Sequence, residues 1–135
     1  MYALTPIETQ GLLDALDDEY KSWATYHQVI DDFGPIRPFI NIVEAEKRHM
    51  QALLELCRQY AIETPINPWI GKVPRYTSEK HACQDAVKGE IENAVLYDRV
   101  LKSTDRPDIL DVYRALQSAS IERHLPAFQR CAERD

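Results

Sequence analysis

Ile42-Val43-Glu44-Ala45-Glu46-Lys47-Arg48-His49-Met50 is the stretch around which the chain is best read. Glu46 and His49 are three residues apart, so on a helix they project from one face. That face is otherwise apolar, carrying Phe39, Ile42, Leu53 and Tyr60. A carboxylate and an imidazole inside an apolar stripe need a partner, because an uncompensated buried charge is strongly destabilising. A metal ion is one such partner, and Glu-x-x-His on an inward helix face is the spacing used by di-metal carboxylate bundles. Taken alone, the motif also reads as a Glu–His hydrogen bond in a core, or as a surface pair.

The flanking sequence places this stretch in a helical hairpin. Thr5-Pro6-Ile7-Glu8 has the form of a capping box with proline at the first helical position. A first helix then runs to about Phe33, with Leu12, Leu16, Trp23, Tyr26, Ile30 and Phe33 on its apolar stripe and Glu19 among them. Gly34-Pro35 ends it. Pro38 opens a second helix that runs to about Ala61. The short turn makes these two helices antiparallel neighbours. Residue 34 is the midpoint of Glu19 and His49, which sets Glu19 at the depth of Glu46 and His49.

Residues 62–76 carry three prolines and a glycine and read as a connection. Extended, fifteen residues reach roughly 50 Å, against roughly 36 Å for a helix of about 24 residues. The connection is long enough to run the length of a bundle. Thr77 or Ser78 caps a third helix, which runs to about Lys102 with the stripe Cys83, Ala86, Glu90, Asn93, Tyr97 and Val100. Asp105-Arg106-Pro107-Asp108 opens a fourth, with Tyr113, Leu116, Ser120, His124, Ala127 and Cys131 on its stripe. Residue 107 is the midpoint of Glu90 and His124, so these two also share a level.

The halves repeat. Asp18-Glu19, Tyr26 and Val29-Ile30 match Gly89-Glu90, Tyr97 and Val100-Leu101. Arg48-His49-Met50-Gln51-Ala52-Leu53 matches Arg123-His124-Leu125-Pro126-Ala127-Phe128. The offsets are 71 (19 to 90) and 75 (49 to 124), so the register holds within about one turn. Glu19, Glu46, His49, Glu90 and His124 then converge at mid-bundle as three carboxylates and two imidazoles. The repeat breaks at Ile121, which stands where Glu46 stands in the first half. Glu122 lies two positions from His124 and faces outward on a regular helix. Pro126 removes the hydrogen bond to its carbonyl and could kink the helix there.

Carboxylates with imidazoles suit Fe, Mn or Zn, and with iron the natural reaction type is activation of oxygen or peroxide. Tyr26 and Tyr97 each follow a ligand candidate by two turns and read as core tyrosines, as hydrogen-bond donors to the carboxylates, or as radical relays. Glu44 and Glu92 fall on other faces, and His27 and His81 on the surface. Cys57 reads as core. Cys83 and Cys131 lie at one level, two turns from the acids, either as buried thiols, the expected state in a reducing cytosol, or as a disulfide.

The totals narrow the class. With 135 residues the chain is long enough for a single domain, 1–135, with one core. A net charge of −6 argues against nucleic acid and anionic membranes as partners. No apolar run has the length of a membrane span. The N-terminal stretch has neither a basic start nor an apolar core, so a cytoplasmic location is expected. Three cysteines without a Cys-x-x-Cys argue against a zinc ribbon or rubredoxin module.

The segment Phe33-Gly34-Pro35-Ile36-Arg37-Pro38-Phe39-Ile40-Asn41 leading into Ile42–His49, with Ala119-Ser120 followed by His124-Leu125-Pro126-Ala127-Phe128, resembles the ferritin-like superfamily. The nearest likeness is to its small members of the DUF2202 type. The resemblance covers most of the chain, from Asp18 to Cys131. It implies an all-α fold: an antiparallel four-helix bundle, ferritin-like, with a long crossover between helices 2 and 3. It also implies a di-iron carboxylate site with metal ligands Glu19, Glu46, His49, Glu90 and His124, and oxidase or peroxide-reducing chemistry with an unspecified redox partner. Ile121 departs from the superfamily pattern, which has Glu-x-x-His on the fourth helix as well. The other reading is a metal-free helical bundle, its acids and histidines forming a buried ionic network, that acts as a binding or homodimerisation module. A zinc hydrolase is a weaker third reading, since no nucleophile or oxyanion arrangement is apparent.

Overall fold

The computed structural model describes residues 3–134. Its helices are α1 (Pro6–Phe33), α2 (Phe39–Gln59), α3 (Glu79–Val100), α4 (Pro107–Ala119) and α5 (Leu125–Glu133), with a π-helical turn, Ser120–His124, joining the last two. They make four rods, the fourth composed of α4, the π turn and α5. No strand occurs among the described residues.

Each helix starts where its chemistry allows. At α1 the Thr5 hydroxyl accepts from the Glu8 amide at 3.1 Å, and the Glu8 carboxylate accepts from the Thr5 amide at 2.9 Å. The reciprocal pair satisfies two of the amides a helix start leaves free. Glu8 also accepts from the Thr104 hydroxyl and lies 3.3 Å from Arg106, which fastens the start of α1 to the α3–α4 turn. The Ser78 hydroxyl caps α3 by accepting from the His81 amide at 3.0 Å. Gly34 ends α1 with φ of 89°, a left-handed conformation that glycine adopts without a Cβ penalty.

The rods pack as two hairpins. In the second, Gln117 donates to the Ala94 carbonyl, Ser120 to Glu90, and Cys83 is bonded to Cys131, so sequence numbers rise on one rod as they fall on the other. The hairpins meet through α1 and α3, where Arg99 pairs with Asp14 and Asn93 donates to Asp18. The interior is divided into two apolar blocks. Leu12, Leu16, Leu53, Leu56, Tyr97, Ile109 and Tyr113 fill one end. Tyr26, Val29, Phe39, Ile42, Cys83, Phe128 and Cys131 fill the other. On every rod a short polar stretch lies between the two blocks.

The connection from Ala61 to Ser78 is tied down along α1. Tyr20 donates to the Pro65 carbonyl, Asn67 to the Tyr20 carbonyl, Trp69 to Asp17, and Arg75 pairs with Asp32. Ile66 and Ile70 project from it into solvent. Among the described residues no helix is long and apolar enough to cross a membrane.

One sequence reading is corrected here, and one left open is decided. The fourth rod is not one regular helix, because the backbone widens into a π turn immediately before Pro126. A proline at 126 removes the amide that would bond the Glu122 carbonyl, and the Leu125 amide instead reaches back five residues to the Ser120 carbonyl. Secondly, Cys83 and Cys131 are joined, with Cα atoms 5.8 Å apart, rather than left as thiols. Cys57 is buried and free, as its stripe position predicts.

Candidate metal centre

Between the two apolar blocks the rods turn five ionisable side chains toward one another. Glu19 comes from α1, Glu46 and His49 from α2, Glu90 from α3 and His124 from the end of the π turn. Glu19, Glu46 and Glu90 are at most 2% exposed, and His124 is 4% exposed. His49 keeps a slightly more open edge. All five residues singled out by spacing are therefore brought to one level.

They form two triads with a common member. Glu19, Glu46 and His49 offer one donor atom each within 4.8 Å of one another, and Glu46, Glu90 and His124 do the same. His49 Nδ1 lies 3.4 Å from Glu19 Oε1 and 3.7 Å from Glu46 Oε2. His124 Nδ1 lies 3.1 Å from Glu46 Oε1 and 3.4 Å from Glu90 Oε1. Each oxygen of Glu46 thus faces a different imidazole. The two rings are nearly parallel, with centroids 5.5 Å apart.

The partners are close without being well aligned. Glu19 Oε2, Glu46 Oε2 and His124 Nδ1 are buried and make no hydrogen bond. For His124 Nδ1 this means that the distance to Glu46 is right but the ring does not aim an N–H along it. Buried polar atoms are nearly always paired, and exceptions call for a physical reason. Glu19 and His124 belong to different triads, so a cation in each triad would give these atoms a partner.

Glu90 is held differently. Its Oε1 accepts from the Ser120 hydroxyl at 2.7 Å, and its Oε2 accepts from Tyr26 at 2.5 Å. Tyr26 is therefore a hydrogen-bond donor to a carboxylate, one of the roles its spacing allowed, although it reaches across to the other hairpin. Tyr97, its counterpart, buries a hydroxyl with no partner. Tyr26 also lines a cleft of about 210 Å³ between α1 and α3, together with Asp18, Lys21, Asp85, Lys88 and Glu92.

The electrostatics record how crowded the acids are. Burial, reinforced by the charge of Glu46, holds the Glu19 carboxyl well above its usual range. Burial also raises Glu46, but the neighbouring imidazoles of His124 and His49 outweigh it, and Glu46 stays ionised to lower pH. Burial disfavours the charged form of both imidazoles, yet the carboxylates dominate. Glu19 and Glu46 raise His49 to about 10, and Glu46 and Glu90 raise His124 to about 9. Without a metal, imidazolium ions therefore stand in for the cation.

Two more residues contribute: Asp18, which spacing missed, and Ser120, which lies on the inward stripe of the fourth helix as its spacing predicts. Asp18, beside Glu19, is raised to about 6, chiefly by burial, and accepts from Asn93 at 2.6 Å. An asparagine on an inward stripe requires a polar partner, and that signal at Asn93 pointed to Asp18. The other is Ser120. Ile121, which the repeat aligns with Glu46, is 46% exposed, whereas Ser120 is 2% exposed and faces the acids. Glu122 points outward and accepts from Ser118, and Glu44, Glu92, His27 and His81 are exposed, all as expected.

No protein-family model and no curated protein matches the chain. Among solved structures, the fold is similar to that of a hypothetical protein from Methanococcus jannaschii DSM 2661. The TM-score is 0.86 at 23% identity, over 98% of this chain and 83% of that one. At that identity the likeness is one of fold, and it supports an all-helical bundle.

Proposed function

We propose that this chain is a ferritin-like, metal-binding protein of the DUF2202 type, with a two-metal carboxylate site and redox chemistry on oxygen or peroxide. In this reading the connection between α2 and α3 is the long crossover of a ferritin-like bundle. Its ties to Asp17 and Tyr20, and then to Asp32, support that course along α1.

The observation that carries the functional reading is the pair of buried triads sharing Glu46, with three donor atoms left unpaired. Glu19 and His49 would hold one ion, Glu90 and His124 the other, and Glu46 both. Nitrogen and carboxylate donors suit iron, with manganese or zinc as alternatives. Bound iron would supply one-electron chemistry toward oxygen or peroxide. The chain's own contribution is to exclude water with the two apolar blocks and to fix Glu90 through the hydroxyls of Tyr26 and Ser120.

Metal analysis after anaerobic loading with ferrous iron tests this reading. Two ions per chain are expected, and less than one per chain overturns it. The metal-free binding or homodimerisation module keeps one observation in its favour, since His49 and His124 already act as counter-cations to the acids. Thermal melting with and without EDTA separates the two, because a ligand bound only by the folded state raises stability by mass action. An unchanged melting temperature favours the metal-free network.

A further inference from the structure

Whatever occupies the centre must reach it through the protein, since Glu19, Glu46, Glu90 and His124 are at most 4% exposed. The cleft between α1 and α3 adjoins two of them. Asp18 and Ser22, one before and three after Glu19, line it from α1, and Ala86 and Gly89, four and one before Glu90, line it from α3. Tyr26 lines it as well and is hydrogen-bonded to Glu90, so one side chain touches both the cleft and the centre.

Gly89 keeps this place open. It lies within α3, and glycine is among the poorest helix formers. Its φ is not positive, and a Cβ at 89 would meet no neighbouring atom within 4 Å. Neither backbone strain nor close packing therefore calls for glycine here; what the missing side chain leaves is space in the cleft. The repeat shows how the equivalent space is used on the other side. At the offset of 71, Asp18 corresponds to Gly89 and Ser22 to Asn93 (18 to 89, 22 to 93). Asp18 and Asn93 close their side with a hydrogen bond of 2.6 Å. Glycine at 89 offers Ser22 no such partner, and the cleft stands in that place.

The lining suits a cation. Asp18, Asp85 and Glu92 contribute three carboxylates. Of the two lysines, Lys21 holds its ammonium over the Trp69 ring, 5.2 Å from the centroid, which leaves Lys88 as the opposing charge. Asp18 stands between cleft and centre: it adjoins Glu19, and the charges of Glu46 and Glu90 act on it. Asn93 holds its Oδ2, so Oδ1 is the oxygen available to an incoming ion.

We propose that divalent cations enter the centre through the α1–α3 cleft, received by Asp18 and admitted by the gap at Gly89. This deepens the two-metal reading above and rests on it.

The test follows Co(II) binding to the metal-free full chain by stopped-flow absorbance, and EDTA-driven release in the reverse direction. The parent chain should take up two ions. Gly89→Leu places a branched side chain in the cleft. It should slow uptake and release by the same factor, tenfold or more, with affinity and the count of two ions as in the parent, because a barrier on the route acts equally in both directions. Gly89→Ala, too short to close the cleft, should keep the parent rates and raise the melting temperature. Asp18→Asn retains an oxygen for Asn93 but loses the charge. It should slow uptake severalfold and flatten the dependence of the rate on salt. Should Gly89→Leu not fold, Ser22→Leu fills the cleft from the other wall and carries the same expectation. Parent rates in the cleft-filling variant overturn this inference, leave the two-metal reading standing and move the entrance to the more open edge at His49. Slower uptake with lost affinity also overturns it, because that reports damage to the centre and not a narrowed route. Absence of Co(II) binding by the parent chain removes both readings.

Discussion

The two hairpins start from one pattern and end with different geometry. In α1–α2 the ligand-bearing helix is regular, and Glu46 and His49 share a face because they are three apart. In the second hairpin the equivalent helix is interrupted, and the residue that shares a face with His124 is Ser120. Ile121 is 46% exposed, and Ser120, four before His124, stands among the acids instead. The second hairpin also carries a covalent tie, Cys83–Cys131, which the first lacks. A repeated sequence motif can therefore diverge through the winding of one turn, with its other polar residues unchanged.

Glu46 is the residue on which the comparison is easiest to break. It is the only acid common to both triads. Glu46→Ala should abolish binding of both ions, whereas Glu19→Ala and Glu90→Ala should each leave one, as read by metal analysis. In the metal-free protein the same change leaves two buried imidazoles without their shared acid and should cost about 3–5 kcal/mol in a denaturant melt. Equal stoichiometry in the three variants would show that the two half-sites are not separate.

Removing the covalent tie tests the second difference. The cysteines are 48 residues apart, and loop-closure entropy for that span is worth about 4 kcal/mol. The pair of changes Cys83→Ala and Cys131→Ala should lower stability by up to that amount. Hydrogen exchange should accelerate in α3 and α5 more than in α1 and α2. Uniform acceleration would mean that the hairpins do not open separately.

Titration sharpens the comparison further. His49 at about 10 and His124 at about 9 both lie above the unfolded imidazole value of about 6.5. A raised imidazole contributes stability that is fully present below the unfolded value and lost as pH rises through the folded one. Glu19, also raised, drives stability in the same direction above the ordinary glutamate range. The EDTA-treated protein should therefore melt at progressively lower temperature from pH 7 to pH 10. By imidazole NMR, both His49 and His124 should keep their protons at pH 7, where a free imidazole has largely lost its own. Metal affinity should rise across the same interval, because the ligands must be deprotonated to bind. Thr5→Ala has the smallest expected effect, about 1 kcal/mol from loss of the α1 cap. It should be felt at the α3–α4 turn as well, since Glu8 bridges the two.

Much of this was legible because hairpin arithmetic is strict. Short turns fix which residues of neighbouring helices share a depth: the midpoints at 34 and 107 set Glu19 level with His49 and Glu90 level with His124, and the internal repeat joined the two hairpins' acids and histidines. All six stripe residues read for the third helix are buried, Asn93 included. The capping box at Thr5-Glu8 and the stop at Gly34 are local chemistry and were readable for that reason. The π turn was not. Ser-Ile-Glu-Arg-His has no composition that distinguishes a wide turn from a regular one, and Pro126 marked the right segment but pointed to a kink. The state of Cys83 and Cys131 was open for another reason, since spacing sets proximity and not oxidation.

The route of the Ala61–Ser78 connection has a practical corollary. Ile66 and Ile70 expose it to solvent, so an engineered protease site could be placed there, and the disulfide lies wholly on one side of it. A single nick there would leave two fragments with no bond between them, one bearing Glu19, Glu46 and His49, the other Glu90 and His124. Metal uptake by the mixed fragments would then report whether the halves find each other again without a continuous chain.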